Sequence, residues 1–156
     1  MTSIREFHAV THKRLAQLME HLSSMQTSLV TTQLQGFGHP TLAKQVNHIL
    51  YCESAWVGAL RNDPEVKWDH EESSLPTLID WRRDVAERTV AYLNALDPED
   101  LHKRLAAYPD YWVGPPRTPS FILHHVLSHT FHHKGQIVAM CRILGNPAPD
   151  TDLQQG

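Results

Sequence analysis

Between Thr118 and Pro147 the sequence marks out one long helix by its own punctuation. Thr118 is a natural N-cap, and Pro119 suits the first helical turn. Gly145 follows Leu144 as a C-terminal cap, and Pro147 prevents continuation. Projected at about 100° per residue, Ile122, Val126, Ile137, Met140 and Leu144 fall in one stripe, with His129 and His133 at its centre. Any fold built around this helix must bury two imidazoles where leucine or isoleucine would ordinarily stand. An unpartnered ring there costs about 1–3 kcal/mol. Spaced one turn apart, both rings project from one face and can reach a single ion. Neutral imidazole ligates zinc, nickel, iron or copper at about 2.0–2.1 Å. A pair of core histidines satisfied by hydrogen bonds is the alternative. Thr130 stands where the metalloprotease helix needs a glutamate base, which argues against that chemistry.

Three further segments carry helical periodicity. The first runs over about 3–32, with Leu15, Leu18, Leu22, Met25 and Leu29 in steps of three and four. Ser3 and Glu6 form a capping box at its start. The second covers about 41–61, with Leu42, Val46, Ile49, Trp56 and Leu60 as its stripe. The third covers about 75–96, with Leu78, Trp81, Val85, Thr89, Tyr92 and Leu96 inward. The connections 65–74 and 98–117 are irregular, with a helical turn expected near Glu99–Lys103 and an extended piece near Tyr108–Gly114. No strand alternation intervenes. Four amphipathic helices in 156 residues predict a single all-α domain, a four-helix bundle.

Composition narrows the function. The net charge is −3 and no Lys/Arg cluster occurs, so nucleic-acid binding is not expected. No apolar run reaches the 18 or so residues of a membrane span. Met1–Val10 lacks the pattern of a secretory signal, which favours the cytoplasm. Cys52 and Cys141 make no metal or redox spacing and read as small core residues. Histidine is the outlier: 12 residues, five of them between His124 and His133.

A third metal ligand has to come from another helix. His48 is the one histidine of the second helix, but it lies beside that helix's stripe, and spacing alone does not make it a ligand. Glu53 falls on the stripe between Ile49 and Trp56, where a carboxylate must be paired or neutral. It can steady a ligand histidine by accepting its second ring proton, or form an ion pair with an arginine. His8 and His12 repeat the one-turn spacing on the flank of the first helix and are expected at its surface or boundary. His125, His132 and Gln136 flank the His129/His133 face and are candidates for the pocket mouth. Trp56, Trp81, Tyr111 and Trp112 are candidates for an aromatic lining. His21, His39, His70 and His102 are expected in solvent, with His124 facing away.

The run HHVLSHTFHHKGQIVAMCRILGNPAPDTDL, residues 124–153, resembles the C-terminal signature of the DinB/YfiT-like family of metal-dependent enzymes. His129, His133, Gly135, Gln136, Arg142, Gly145, Pro149 and Asp152 all fall in place. TLAKQVNHILYCESAWVGAL, residues 41–60, resembles the family's second helix. Lys134 departs mildly from the family's usual arginine. The resemblance implies a four-helix bundle, often dimeric, holding one divalent transition metal (zinc, nickel or iron) on His48, His129 and His133. Relatives include thiol-dependent transferases and an isomerase that uses small thiols. The implied activity is therefore activation of a small thiol for transfer or addition to an electrophile. The alternatives are a hydrolase using metal-activated water and a non-catalytic metal- or ligand-binding stress protein. A homodimer is expected, supported by the unusual length of the first helix and by Val10, Met19 and Val30 on its flank. Proton competition is expected to weaken metal binding below about pH 6.

Overall fold

A computed structural model of the chain describes residues 3–63, 74–103 and 117–153. Its helices are α1 (Ile4–Ser24), α2 (Thr27–Val30), α3 (Leu42–Leu60), α4 (Leu75–Ala95) and α5 (Pro119–Ile143). A short 3-10 turn, Asp100–His102, follows α4, as expected. No strand occurs among the described residues. The expected extended piece at 108–114 lies outside them, as does most of both irregular connections.

The helix ends follow local chemistry. Ser3 and Glu6 close a capping box on α1. Thr41, Ser74 and Thr118 each accept a backbone N–H from the first turn of α3, α4 and α5. At the end of α5, Gly145 takes φ +74°. Its N–H reaches the carbonyl of Arg142, and that of Asn146 reaches Cys141. This double bond pattern needs a left-handed residue, which glycine supplies without strain.

The first helix is shorter than its apolar spacing suggests. It stops at Ser24, Met25 and Gln26 are extended, and α2 is a separate single turn. Neither proline nor glycine causes the break. Ser23 and Ser24 bond the carbonyls of Met19 and His21 through their hydroxyls and so compete with the next backbone bonds. The turn lets Met25 and Val30 both enter the core. Val30 and Met19 are buried within this chain, so the length and flank of the first helix no longer argue for a dimer.

The four long helices form a ring: α3 packs on α4 and α5, and α1 packs on the same two from the other side. A large apolar cluster fills one end, with Leu15, Leu18, Leu22, Leu42, Val46, Ile49, Leu50, Leu78, Ile137 and Met140 at its centre. Two smaller clusters fill the other end: Trp56, Ile122 and Val126, and Val57, Leu93 and Leu123. The core is thus divided. On every long helix the residues between these clusters include polar ones, and they make up the layer described next.

Candidate metal centre

His48 of α3 and His129 and His133 of α5 converge in this polar layer. Their ring centroids lie 4.9 Å (His48–His129), 4.6 Å (His48–His133) and 4.4 Å (His129–His133) apart. One turn on α5 and the tight α3–α5 contact produce the grouping. His133 is buried, while His48 and His129 are half-buried. His39, which precedes α3, stacks on His48 at 3.9 Å.

Two atoms bear on whether these rings suit a divalent ion. His133 Nδ1 lies 2.7 Å from Gln45 Oε1. Gln45 uses its amide hydrogens on the carbonyl of His39 and on Gln136 Oε1. The glutamine oxygen is therefore an acceptor, the proton of His133 sits on Nδ1, and its Nε2 lone pair is free to ligate. His129 Nδ1 is buried with no hydrogen-bond partner among the described residues. Electrostatics agree. Burial, and then the neighbouring His39, push His48 down to about 4. Burial, with His48 and other imidazoles adding to it, pushes His129 to about 4. Burial and then His129 push His133 to about 3. All three rings are neutral near pH 7, the state a metal requires. The donor set fits a divalent transition metal.

The surroundings differ in part from expectation. His125 and His132 are exposed. The ring of His125 lies 6.0 Å from that of His129, and His132 stands edge-on to His133 at 4.9 Å. Gln136 donates to His132 Nε2 at 2.8 Å and so links it to Gln45. Trp112, Tyr111 and His70 lie outside the described residues. A cleft of about 530 Å³ opens beside His48, lined by Gly38, His39, Pro40, Lys44, Asn47 and Tyr51. The turn before α3 thus shapes one approach to the rings. His39, expected in solvent, is part of it. His21, also expected in solvent, is half-buried and bonds the carbonyl of Asn146.

Sequence reasoning misplaced two groups. His8 and His12 are buried, not at a boundary. Their Nε2 atoms lie 2.9 and 2.8 Å from the two oxygens of Glu53, and Thr89 donates to Oε1 at 2.7 Å. Among the described residues Glu53 therefore neither bonds His48, His129 or His133 nor meets an arginine in a hydrogen bond. Gln45 takes the orienting place instead. The physical reason is that α1 sits between α4 and α5, so its His8/His12 flank faces the bundle centre. The second miss is Cys52. Read as a plain core residue, it is half-buried with its Sγ 3.6 Å from His48 Nε2. Donor atoms of His48, Cys52 and His129 all lie within 4.8 Å of one another. The one-turn spacing His48–Cys52 was the available signal.

No helix among the described residues is long and apolar enough to cross a membrane. The chain is similar in fold to a DinB-like protein of Bacillus subtilis, YjoA, known from a crystal structure. The TM-score is 0.72 at 18% identity, over 97% of this chain and 99% of that one. No curated protein matched the chain. The family model described as the DinB family matches residues 4–155, nearly the full length of the sequence, and the chain therefore belongs to the DinB family.

Proposed function

We propose that this chain is a metal-dependent enzyme that activates a small thiol for transfer or addition to an electrophile, with one divalent ion held by His48, His129 and His133. The observation that carries the reading is the convergence of three neutral rings, one of them oriented by Gln45, beside an open cleft. When bound, a divalent ion lowers the pKa of a small thiol so that it becomes a nucleophile near neutral pH. The rings supply neutral nitrogen donors, and Gln45, itself bonded to Gln136, fixes the orientation of His133 from behind. The turn at Gly38–Pro40 leaves the cleft open to a small molecule. Hydrolysis by activated water stands second. Among the described residues no carboxylate is hydrogen-bonded to the three rings, and Glu53 is already committed to His8 and His12. A homodimer and a cytoplasmic setting belong to the same proposal and rest on the resemblance and the composition.

Elemental analysis of untagged protein, followed by a screen of small thiols against electrophilic acceptors, tests the reading. Stoichiometric metal, with thiol consumption that stops on chelation, is the expected result. Metal-loaded protein that hydrolyses esters but consumes no thiol would replace this reading with the hydrolytic one.

A further inference from the structure

The described residues offer few groups of metal-ligating side chains. One is the buried set His8, His12 and Glu53. There each imidazole already meets a carboxylate oxygen at hydrogen-bond distance and Thr89 donates to the same carboxylate, so both oxygens of Glu53 are engaged, although His8 Nδ1 and His12 Nδ1 are buried without a hydrogen-bond partner among the described residues. The other joins Cys52 to His48 and His129.

We infer that Cys52 is a fourth ligand of the metal held by His48, His129 and His133, so that the resting site is a three-histidine, one-cysteine tetrahedron rather than an open three-histidine site. The inference rests on the metal-binding reading above and goes beyond it.

Three observations carry it. The first is distance. In a zinc tetrahedron with Zn–S near 2.3 Å and Zn–N near 2.05 Å, sulfur and nitrogen stand about 3.5–3.6 Å apart. Cys52 Sγ and His48 Nε2 stand 3.6 Å apart. The second is placement. Cys52 is one turn beyond His48 on α3, so the same helical face delivers both donors. The pair opposes His129 and His133, which one turn of α5 delivers in the same way. The third is that His129 Nδ1 is buried without a hydrogen-bond partner among the described residues, although it belongs to a ring within reach of both. A thiol–imidazole hydrogen bond accounts for the Cys52–His48 contact alone, and it leaves His129 unexplained.

A cysteine ligand changes how the site operates. Cys52 would give up its thiol proton to solvent on coordination, and His48, Cys52, His129 and His133 would together hold the ion. A small thiol that needed the ion would then have to compete with the Cys52 thiolate for it. The cleft beside His48 reaches the site through that ring.

Cobalt(II) spectroscopy tests this, because a thiolate ligand gives an intense near-ultraviolet sulfur-to-cobalt charge-transfer band that histidine ligands do not give. The protein is stripped with chelator and titrated with cobalt(II) alone, with no thiol in the buffer. Wild type is expected to show the band at one cobalt per chain. Cys52→Ser and Cys52→Ala should lose it while still binding cobalt, with affinity lowered by at least the roughly 10–100-fold that loss of an outer-shell partner costs. Cys141→Ser, which changes a thiol buried in the apolar cluster, should keep it. Circular dichroism of each variant confirms that it folds. Cobalt bound by wild type without the band would overturn the cysteine ligand and leave the three-histidine site standing. Failure of wild type to bind cobalt, zinc, nickel or iron would overturn both.

Discussion

Glu53 Oε2 on α3 accepts a hydrogen bond from His12 Nε2 on α1 at 2.8 Å, across the diagonal of the bundle. His8 reaches the other oxygen at 2.9 Å, and Thr89 of α4 reaches it at 2.7 Å. Three helices that enclose the centre of the bundle are thus tied to one carboxylate that is 1% exposed. Burial alone would raise its pKa, but the attraction and hydrogen bonds of His12 and His8 more than offset this and hold it well below the usual carboxylate range. An ionised carboxylate only accepts, so each histidine presents an N–H to it. The metal candidate lies in the same polar layer, yet no hydrogen bond joins the two groups among the described residues.

Glu53 is therefore expected to act on stability and not on metal. Glu53→Ala leaves two buried imidazole N–H groups without an acceptor. Removing one member of a buried charged network costs about 3–5 kcal/mol. Glu53→Gln should cost less, because the amide still accepts from one histidine. Urea unfolding gives the stabilities, and mass spectrometry gives the metal content. Loss of metal from folded Glu53→Gln would mean that the carboxylate supports the ligands after all.

The chelated protein should lose stability towards acid in two stages. Unfolded histidine takes up a proton below about pH 6.5. In the fold, His48 and His129 stay neutral to about 4, and His133 to about 3. The unfolded state therefore binds more protons between these limits, and acid favours it. Glu53 adds a second loss. Its folded pKa lies below the unfolded value of about 4.3, so its contribution is complete above that pH and fades below it. Denaturation midpoints measured from about pH 8 to 2 should fall from about 6.5 downward, and Glu53→Gln should remove only the lower stage, below about 4.3. A flat profile between pH 7 and 5 in wild type would contradict the neutral, buried rings.

Helix existence was readable because its signals are local. Caps, prolines and a 3.6-residue period lie within a few residues of what they dictate, and α3, α4 and α5 end within a residue or two of expectation. The break at Met25 was not readable, because Met25 and Leu29 keep a helix-like spacing whether or not the backbone between them is helical. The His129/His133 pair announced itself by replacing core residues on a single helix. Gln45 and His39 did not, since each matters only through a partner on another element, and Cys52 was signalled only by its one-turn spacing from His48. His8 and His12 failed for a related reason. Whether a helix flank meets solvent or the bundle centre depends on which neighbours the helix packs between, and periodicity carries no such information.

Gln45→Ala should weaken metal binding while leaving every ligand in place. The change frees His133 Nδ1 and lets the ring rotate or take the wrong tautomer. It also removes the donor that bonds Gln136 Oε1. Losing such an outer partner typically costs roughly 10–100-fold in affinity, and about 1–3 kcal/mol in stability for the buried groups left unpaired. Competition against a chelator of known affinity reads the first effect, and thermal melting of metal-free protein reads the second. Unchanged affinity with reduced stability would assign Gln45 to the core alone.

Metal should persist in acid further than free histidine suggests. With a pKa near 6.5, solvated imidazoles would surrender the ion below about pH 6. The three rings here resist protonation to about 4, 4 and 3, because burial and mutual proximity disfavour their charged forms. Protons then compete only where the apo site itself begins to protonate. The expected outcome is full occupancy at about pH 5.5 and release mainly between about 5 and 3, measured by equilibrium dialysis with elemental analysis at each pH. His129→Ala and His133→Ala should each lose stoichiometric metal already at pH 7.5, which ties the profile to these rings. A release midpoint near 6.5 in wild type would mean that the rings titrate as solvated groups. Retention of full metal by both alanine variants would place the ion elsewhere.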